Sequence, residues 1–154
     1  MRHAAALPAA IDGSDFERPL SAQGQAAAAQ SARRLAAAAL KIERILYSPA
    51  HRTRDTAAIV AQELALGASA MEAVPALYAA SPRTLRQAIV KSHAGARVLL
   101  VIGHNPGISE LGQELGVGLG YGLLATSAFW RLAFDVDSWQ RLVRPGSSGS
   151  AVRG

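Results

Sequence analysis

The apolar positions of this chain fall into short solid runs separated by longer stretches of helical period. Val98-Leu99-Leu100-Val101-Ile102 is an unbroken aliphatic run, which predicts a strand buried on both faces, as in the middle of a helix-covered sheet. Ile42-Glu43-Arg44-Ile45-Leu46-Tyr47 is too brief for a helix and is bounded by Ser48-Pro49, so it reads as a second buried strand. Ala70 to Val74 and Ala128 to Phe134 read as two more. The latter is expected to pair with Trp139 to Val143 across the Asp135-Val136-Asp137-Ser138 turn.

Helical segments lie between these runs. Ser21 is a good N-cap for an Ala-rich helix running to Leu40, with Leu35 and Leu40 as its larger anchors. Gly24 weakens its first turn by about 1 kcal/mol relative to Ala. Ser48, with Pro49 at the first helical position, predicts a second helix through Ala57, Val60, Ala61 and Leu64 to Leu66, stopped by Gly67. Ser81-Pro82 repeats that signal for a helix carrying Leu85, Ile89 and Val90 to His93-Ala94-Gly95. Asn105-Pro106 starts a fourth, ending near Leu115. Residues 4–20 read as a loop, and Gly116 to Gly122 as a glycine-rich loop without phosphate-loop spacing. Strands alternating with helices predict an α/β fold with helices on both faces of the sheet.

Composition narrows this picture. The 154 residues fit one domain, over 1–144, with the Gly/Ser-rich residues 145–154 expected to form a disordered tail. No apolar run approaches the roughly 20 residues that span a bilayer. No signal-peptide pattern opens the chain, so a cytoplasmic protein without membrane contact is the expectation. The absence of Cys removes disulfides, thiolate metal sites and cysteine nucleophiles together. A net charge of +5 raises the question of nucleic acid. The basic residues are scattered and do not interleave with aromatics, so an anionic small substrate or an acidic protein partner is the better expectation.

The candidate chemistry lies in three places: Arg2-His3 at the start, Ser48-Pro49-Ala50-His51-Arg52, and Gly103-His104-Asn105-Pro106. The last two are strand-to-helix turns, where ligands of open α/β sheets bind. Helix N-termini there offer free N–H groups and a positive dipole end to an anion. Arg52 is an unusual residue for a first helical turn, because the dipole disfavours a cation, but its guanidinium can grip two phosphate oxygens. His104 can donate to a third. His51 and His93 read as surface residues. The four His show no metal-ligand spacing, and Ser109 lacks the frame of a nucleophile elbow.

Together these residues resemble the histidine phosphatase superfamily, the phosphoglycerate-mutase-like fold. Arg2-His3-Ala4 matches its Arg-His-Gly/Ala signature, and Arg18-Pro19-Leu20-Ser21-x-x-Gly24 its Arg-Pro-Leu-Ser/Thr-x-x-Gly element. Ser48-Pro49-x-x-Arg52-x-x-x-Thr56-Ala57 and Gly103-His104-Asn105-Pro106 match two further blocks, in the same order. The short chain is similar to the compact SixA branch, the phosphohistidine phosphatases without a large helical cap. The resemblance implies a three-layer α/β/α sandwich, His3 as nucleophile, and Arg2, Arg52 and His104 holding the phosphoryl oxygens. No metal or other cofactor is implied. The substrate is expected to be a phosphorylated protein carrying phosphohistidine. A small phosphorylated metabolite is the alternative, and a catalytically weak phosphate-binding module a third reading. A general acid has no confident equivalent; Asp15, Glu17 and Glu72 are the possibilities.

One departure stands out. The family carries a buried aliphatic strand ahead of Arg-His, whereas Met1 alone stands there. Either the true start lies upstream, or the sheet is short of its first strand, with exposed edges and Arg2 and His3 on a poorly supported terminus; weak activity, or another segment filling the gap, is then expected.

Overall fold

The structure is a computed structural model describing residues 1–11, 13–91, 95–116, 122–143 and 150–153. Four helices are described: α1 (Ala22–Ala37), α2 (His51–Glu63), α3 (Pro82–Lys91) and α4 (Gly107–Glu114). The strands are β1 (Arg44–Tyr47), β2 (Met71–Ala73), β3 (Leu99–Ile102), β4 (Trp130–Ala133) and β5 (Ser150–Arg153). The central sheet has the order β2-β1-β3 and is all parallel; β4 and β5 form a separate antiparallel pair.

Alternation along the strands builds the three layers. Ile45, Leu100 and Ile102 turn to one face and pack with Ala32 and Leu35 of α1 and Ala57, Val60 and Ala61 of α2. Leu46, with Leu99 and Val101, turns to the other and meets Leu85 and Ile89 of α3 and Ile108, Leu111 and Leu115 of α4. Each fully buried Leu or Ile contributes about 1.5–3 kcal/mol relative to an exposed one. This is the expected α/β/α sandwich, and the described residues add no cap.

Several sequence expectations need correction. Trp139–Val143 is a 3-10 helix, not a strand. Leu142 is fully buried and the Trp139 indole donates to the Ala96 carbonyl. That spacing of three puts both side chains on one helical face, which a strand of period two cannot do. Residues 150–153 of the expected tail form β5, giving the β4 edge a backbone partner; residues 144–149 and 154 lie outside the described residues, as does His93. The first two helices stop about three residues early, where Ala39 and Ala65 take left-handed conformations at φ 52°.

The position of the first strand is filled by a single parallel bridge, Arg2 to Gly103. Its residues are nevertheless held on both sides. His3 N–H donates to Gly103, and Gly103 N–H to Met1. On the other flank Arg2 N–H donates to Ala128, and the His3 carbonyl accepts from Ser127. The expected loose terminus is thereby replaced by a stub clamped between the end of β3 and the segment leading into β4. A cleft of about 530 Å³ lies between the two sheets, and its walls include Leu99, Leu100, Trp130, Leu132 and Phe134. The Met1 amino group is buried and donates to the Val101 carbonyl at 2.8 Å. Burial pushes that amine down to about 5.

Candidate active site

The sequence blocks singled out above work first as scaffolding. Ser21 N–H and Oγ both donate to the Ala5 carbonyl, and Ser21 Oγ caps Gly24 N–H. A Cβ on Gly24 would stand 2.0 Å from that carbonyl oxygen. Gly24 is therefore the price of laying the Arg-His segment across the first turn of α1. Thr56 completes the clamp: its Oγ1 accepts from Ala4 N–H at 3.0 Å and donates to the Arg52 carbonyl one turn back. The spacing Arg52-x-x-x-Thr56 thus ties Arg52 to the backbone after His3.

The clamp brings all four predicted residues together. The His3 and His104 rings lie 5.1 Å apart between centroids, and Arg52 Nη2 is 3.3 Å from His104 Nδ1. Arg2 Nη1 donates to the Leu124 carbonyl, which Asn105 Nδ2 also holds. Ser109, unsuited as a nucleophile, links Asn105 Oδ1 to Leu124 N–H. Arg2 Nε is buried without a protein partner.

Hydrogen bonding fixes both imidazole tautomers. His3 Nδ1 lies 2.8 Å from the Ala4 carbonyl oxygen, which can only accept, so Nδ1 carries the proton and Nε2 presents a lone pair. Burial, reinforced by the charges of Arg52, Arg2 and Arg18 against the opposing Ala4 bond, pushes His3 down to about 4. His104 Nδ1 faces a guanidinium that can only donate, so Nε2–H donates to Ser48 Oγ at 2.8 Å. Burial and then Arg52 push His104 down to about 4 as well. Both rings are neutral at pH 7. The unfolded chain takes up protons below about 6.5 while the folded site does not until about 4. Stability is therefore present above 6.5 and falls as pH drops through that window. A proton NMR titration of His3 is expected to give a midpoint near 4; one near 6.5 would show an accessible ring.

Three features depart from expectation. Ser48 does not cap α2, whose cap position is Ala50; its hydroxyl is spent on His104, a residue no local pattern links to it. His104 has both ring nitrogens engaged, by Arg52 and Ser48, and Arg52 itself is turned toward an exposed carboxylate of the same chain. Arg52 Nη2 contacts Asp15 Oδ2 at 2.8 Å and Nη1 the Asp15 carbonyl. Asp15 also accepts from Arg18 at 2.9 Å and Tyr78 O–H at 3.1 Å. Hydrogen bonds from Arg18 and then Arg52, opposed by slight burial, hold its carboxyl down at about 2. Glu72 lies on β2 opposite Leu46, and Glu17 is exposed in a 3-10 turn. Tyr78 was not singled out by sequence; it follows directly on a 3-10 turn, Pro75–Leu77, that begins at a proline. His51, expected at the surface, is half-buried with its ring 6.4 Å from Phe16. No helix among the described residues is long and apolar enough to cross a membrane.

Comparison with known proteins agrees with this geometry. The sequence profile of the histidine phosphatase superfamily (branch 1) matches residues 1–77, half of the chain. No curated protein matches. Among solved structures, the protein histidine phosphatase SixA in complex with tungstate is 29% identical with a TM-score of 0.78. The match covers 99% of this chain and 91% of that one. A structure named for phosphohistidine phosphatase SixA from Nakamurella multipartitia is 27% identical with a TM-score of 0.81, over 97% and 90% of the two chains. A mycobacterial glucosyl-3-phosphoglycerate phosphatase, 14% identical with a TM-score of 0.67 over 99% and 94%, shares the fold alone.

Proposed function

The chain belongs to the histidine phosphatase superfamily, and from that footing we propose that it hydrolyses phosphohistidine on a protein through a covalent intermediate on His3. His3 Nε2 attacks phosphorus, and the P–N bond to the substrate breaks. Its electron pair returns to the departing imidazole nitrogen, whose distal nitrogen carries the proton, so a neutral ring leaves. Water then attacks the phosphorus on His3, gives its proton to solvent, and the Nε2 lone pair is restored. Arg2 and Arg52 neutralise the charge on the phosphoryl oxygens. His104 accepts from Arg52 in the resting state and turns an N–H to the phosphoryl group when Arg52 exchanges Asp15 for it. No step is assigned to a metal, and a chelator is expected to leave the rate unchanged. The setting is cytoplasmic.

One observation carries the choice of a P–N bond. Asp15, the carboxylate in contact with Arg52, already accepts from Arg18, Arg52 and Tyr78 O–H, three donors that favour its ionised form, so it has no proton to give at neutral pH. A sugar alkoxide needs that proton, because its conjugate acid is very weak; an imidazole does not. The nitrogen donor phosphoramidate is therefore expected to be turned over with kcat/KM at least about 100-fold above that for glucose 6-phosphate. The reverse order would overturn the P–N reading in favour of a small-metabolite phosphomonoesterase.

A further inference from the structure

The phosphate-directed groups account for the floor of the site but not for its aromatic wall. The Tyr78 ring meets His104 edge-on at 5.4 Å, and Phe16 meets Tyr78 in the same manner at 5.2 Å. Tyr78 is thus one ring removed from His3, through His104. It is 38% exposed, whereas the preceding Leu77 is fully buried and anchors the turn. The turn is also fixed from below and behind. A Cβ on Gly107 would stand 1.9 Å from the Ala80 carbonyl oxygen, so only glycine lets the turn approach α4 this closely. Ala79 takes a left-handed conformation at φ 46°, which is strained for a residue with a Cβ and persists only where the surrounding contacts hold it. Tyr78 O–H is fastened to Asp15 Oδ2. A large, half-exposed aromatic pair is thereby held rigidly beside His104, one ring away from His3.

We propose that Phe16 and Tyr78 form the leaving-group subsite and select phosphoryl donors whose leaving group is a flat aromatic ring. This rests on the reading of the site as a His3-dependent phosphatase. A planar ring set against these faces gains offset or edge-on contact that an aliphatic chain does not reproduce. The Asp15 carboxylate beside Tyr78 accepts an N–H from the ring edge, which suits an imidazole carrying its proton on the distal nitrogen.

The test uses the full chain and two pairs of donors that differ in the ring: phosphoimidazole against phosphoramidate, and phenyl phosphate against glycerol phosphate. In Tyr78→Ala and Phe16→Ala the ring-to-no-ring ratio of kcat/KM is expected to fall roughly three- to tenfold in each pair. Tyr78→Phe should keep the ratio, because it retains the ring and loses only the bond to Asp15. Tyr78→Leu, which preserves bulk, should behave like the Ala variant and covers the case in which Tyr78→Ala unfolds. Unchanged ratios in the Ala and Leu variants overturn the proposal, as does a Tyr78→Phe ratio that falls with them, which would make Tyr78 a prop for Asp15 only. A wild-type protein inactive on both nitrogen donors but ring-selective on the phosphate esters would sink the P–N reading and leave the subsite standing. Inactivity on all four donors would end both.

Discussion

His3→Ala is expected to lower turnover by on the order of 10⁴-fold or more, because the lone pair that forms the intermediate is then absent. The affinity for inorganic phosphate should change little. Arg2 and Arg52 remain, and the backbone of residue 3 keeps its bonds to Gly103 and Ser127. The two readouts separate the hypotheses cleanly: an enzyme loses rate and keeps binding, whereas a phosphate-binding module has no rate to lose. Brief incubation of the wild type with a labelled phosphodonor and an acid-free quench should place one phosphate on His3. Label that persists in His3→Ala would move the nucleophile elsewhere. His104 is not a ready substitute, since its ring nitrogens are committed to Arg52 and Ser48.

Arg52→Ala should cost on the order of 10²–10³ in kcat/KM, the scale of removing one preorganised donor to developing charge. Arg52 is only 6% exposed, so its attraction for phosphoryl oxygens is little weakened by water. Its removal also lifts a positive charge from beside both imidazoles. The sign follows: Arg52 lowers the pKa of His3 and His104, so without it both rings titrate higher, and NMR midpoints should move from about 4 toward 6.5. Arg52→Lys keeps the charge but not the planar fork. It should hold the histidine midpoints low while recovering only part of the rate. If all three quantities track one another across both variants, Arg52 would act through electrostatics alone.

Much of this site was legible because each block encodes a local device. Gly24 and Ser21 seat the Ala5 carbonyl, Thr56 bonds back to Arg52 within one turn, and the β3 run places His104 at a strand end. What sequence could not supply were partnerships across the chain. Ser48 reads as a helix cap, since nothing nearby reveals that His104, 56 positions on, takes its hydroxyl. Asp15 was one of three candidate acids; only the convergence of Arg18, Arg52 and Tyr78 shows it to be an ionised anchor. Trp139–Val143 misled because its apolar residues fit a strand as easily as one 3-10 turn, and burial of Leu142 decides between them.

The cleft between β3 and β4 is a second handle on this fold, since none of Arg2, His3, Arg52 and His104 is among its walls. A compound that bound only the intact cleft would stabilise the fold by about 2.7 kcal/mol at a hundred times its Kd. Such a compound need not carry a phosphate or any charge. The fold could then be stabilised through oil-soluble chemistry, with no competition for Arg2 or Arg52.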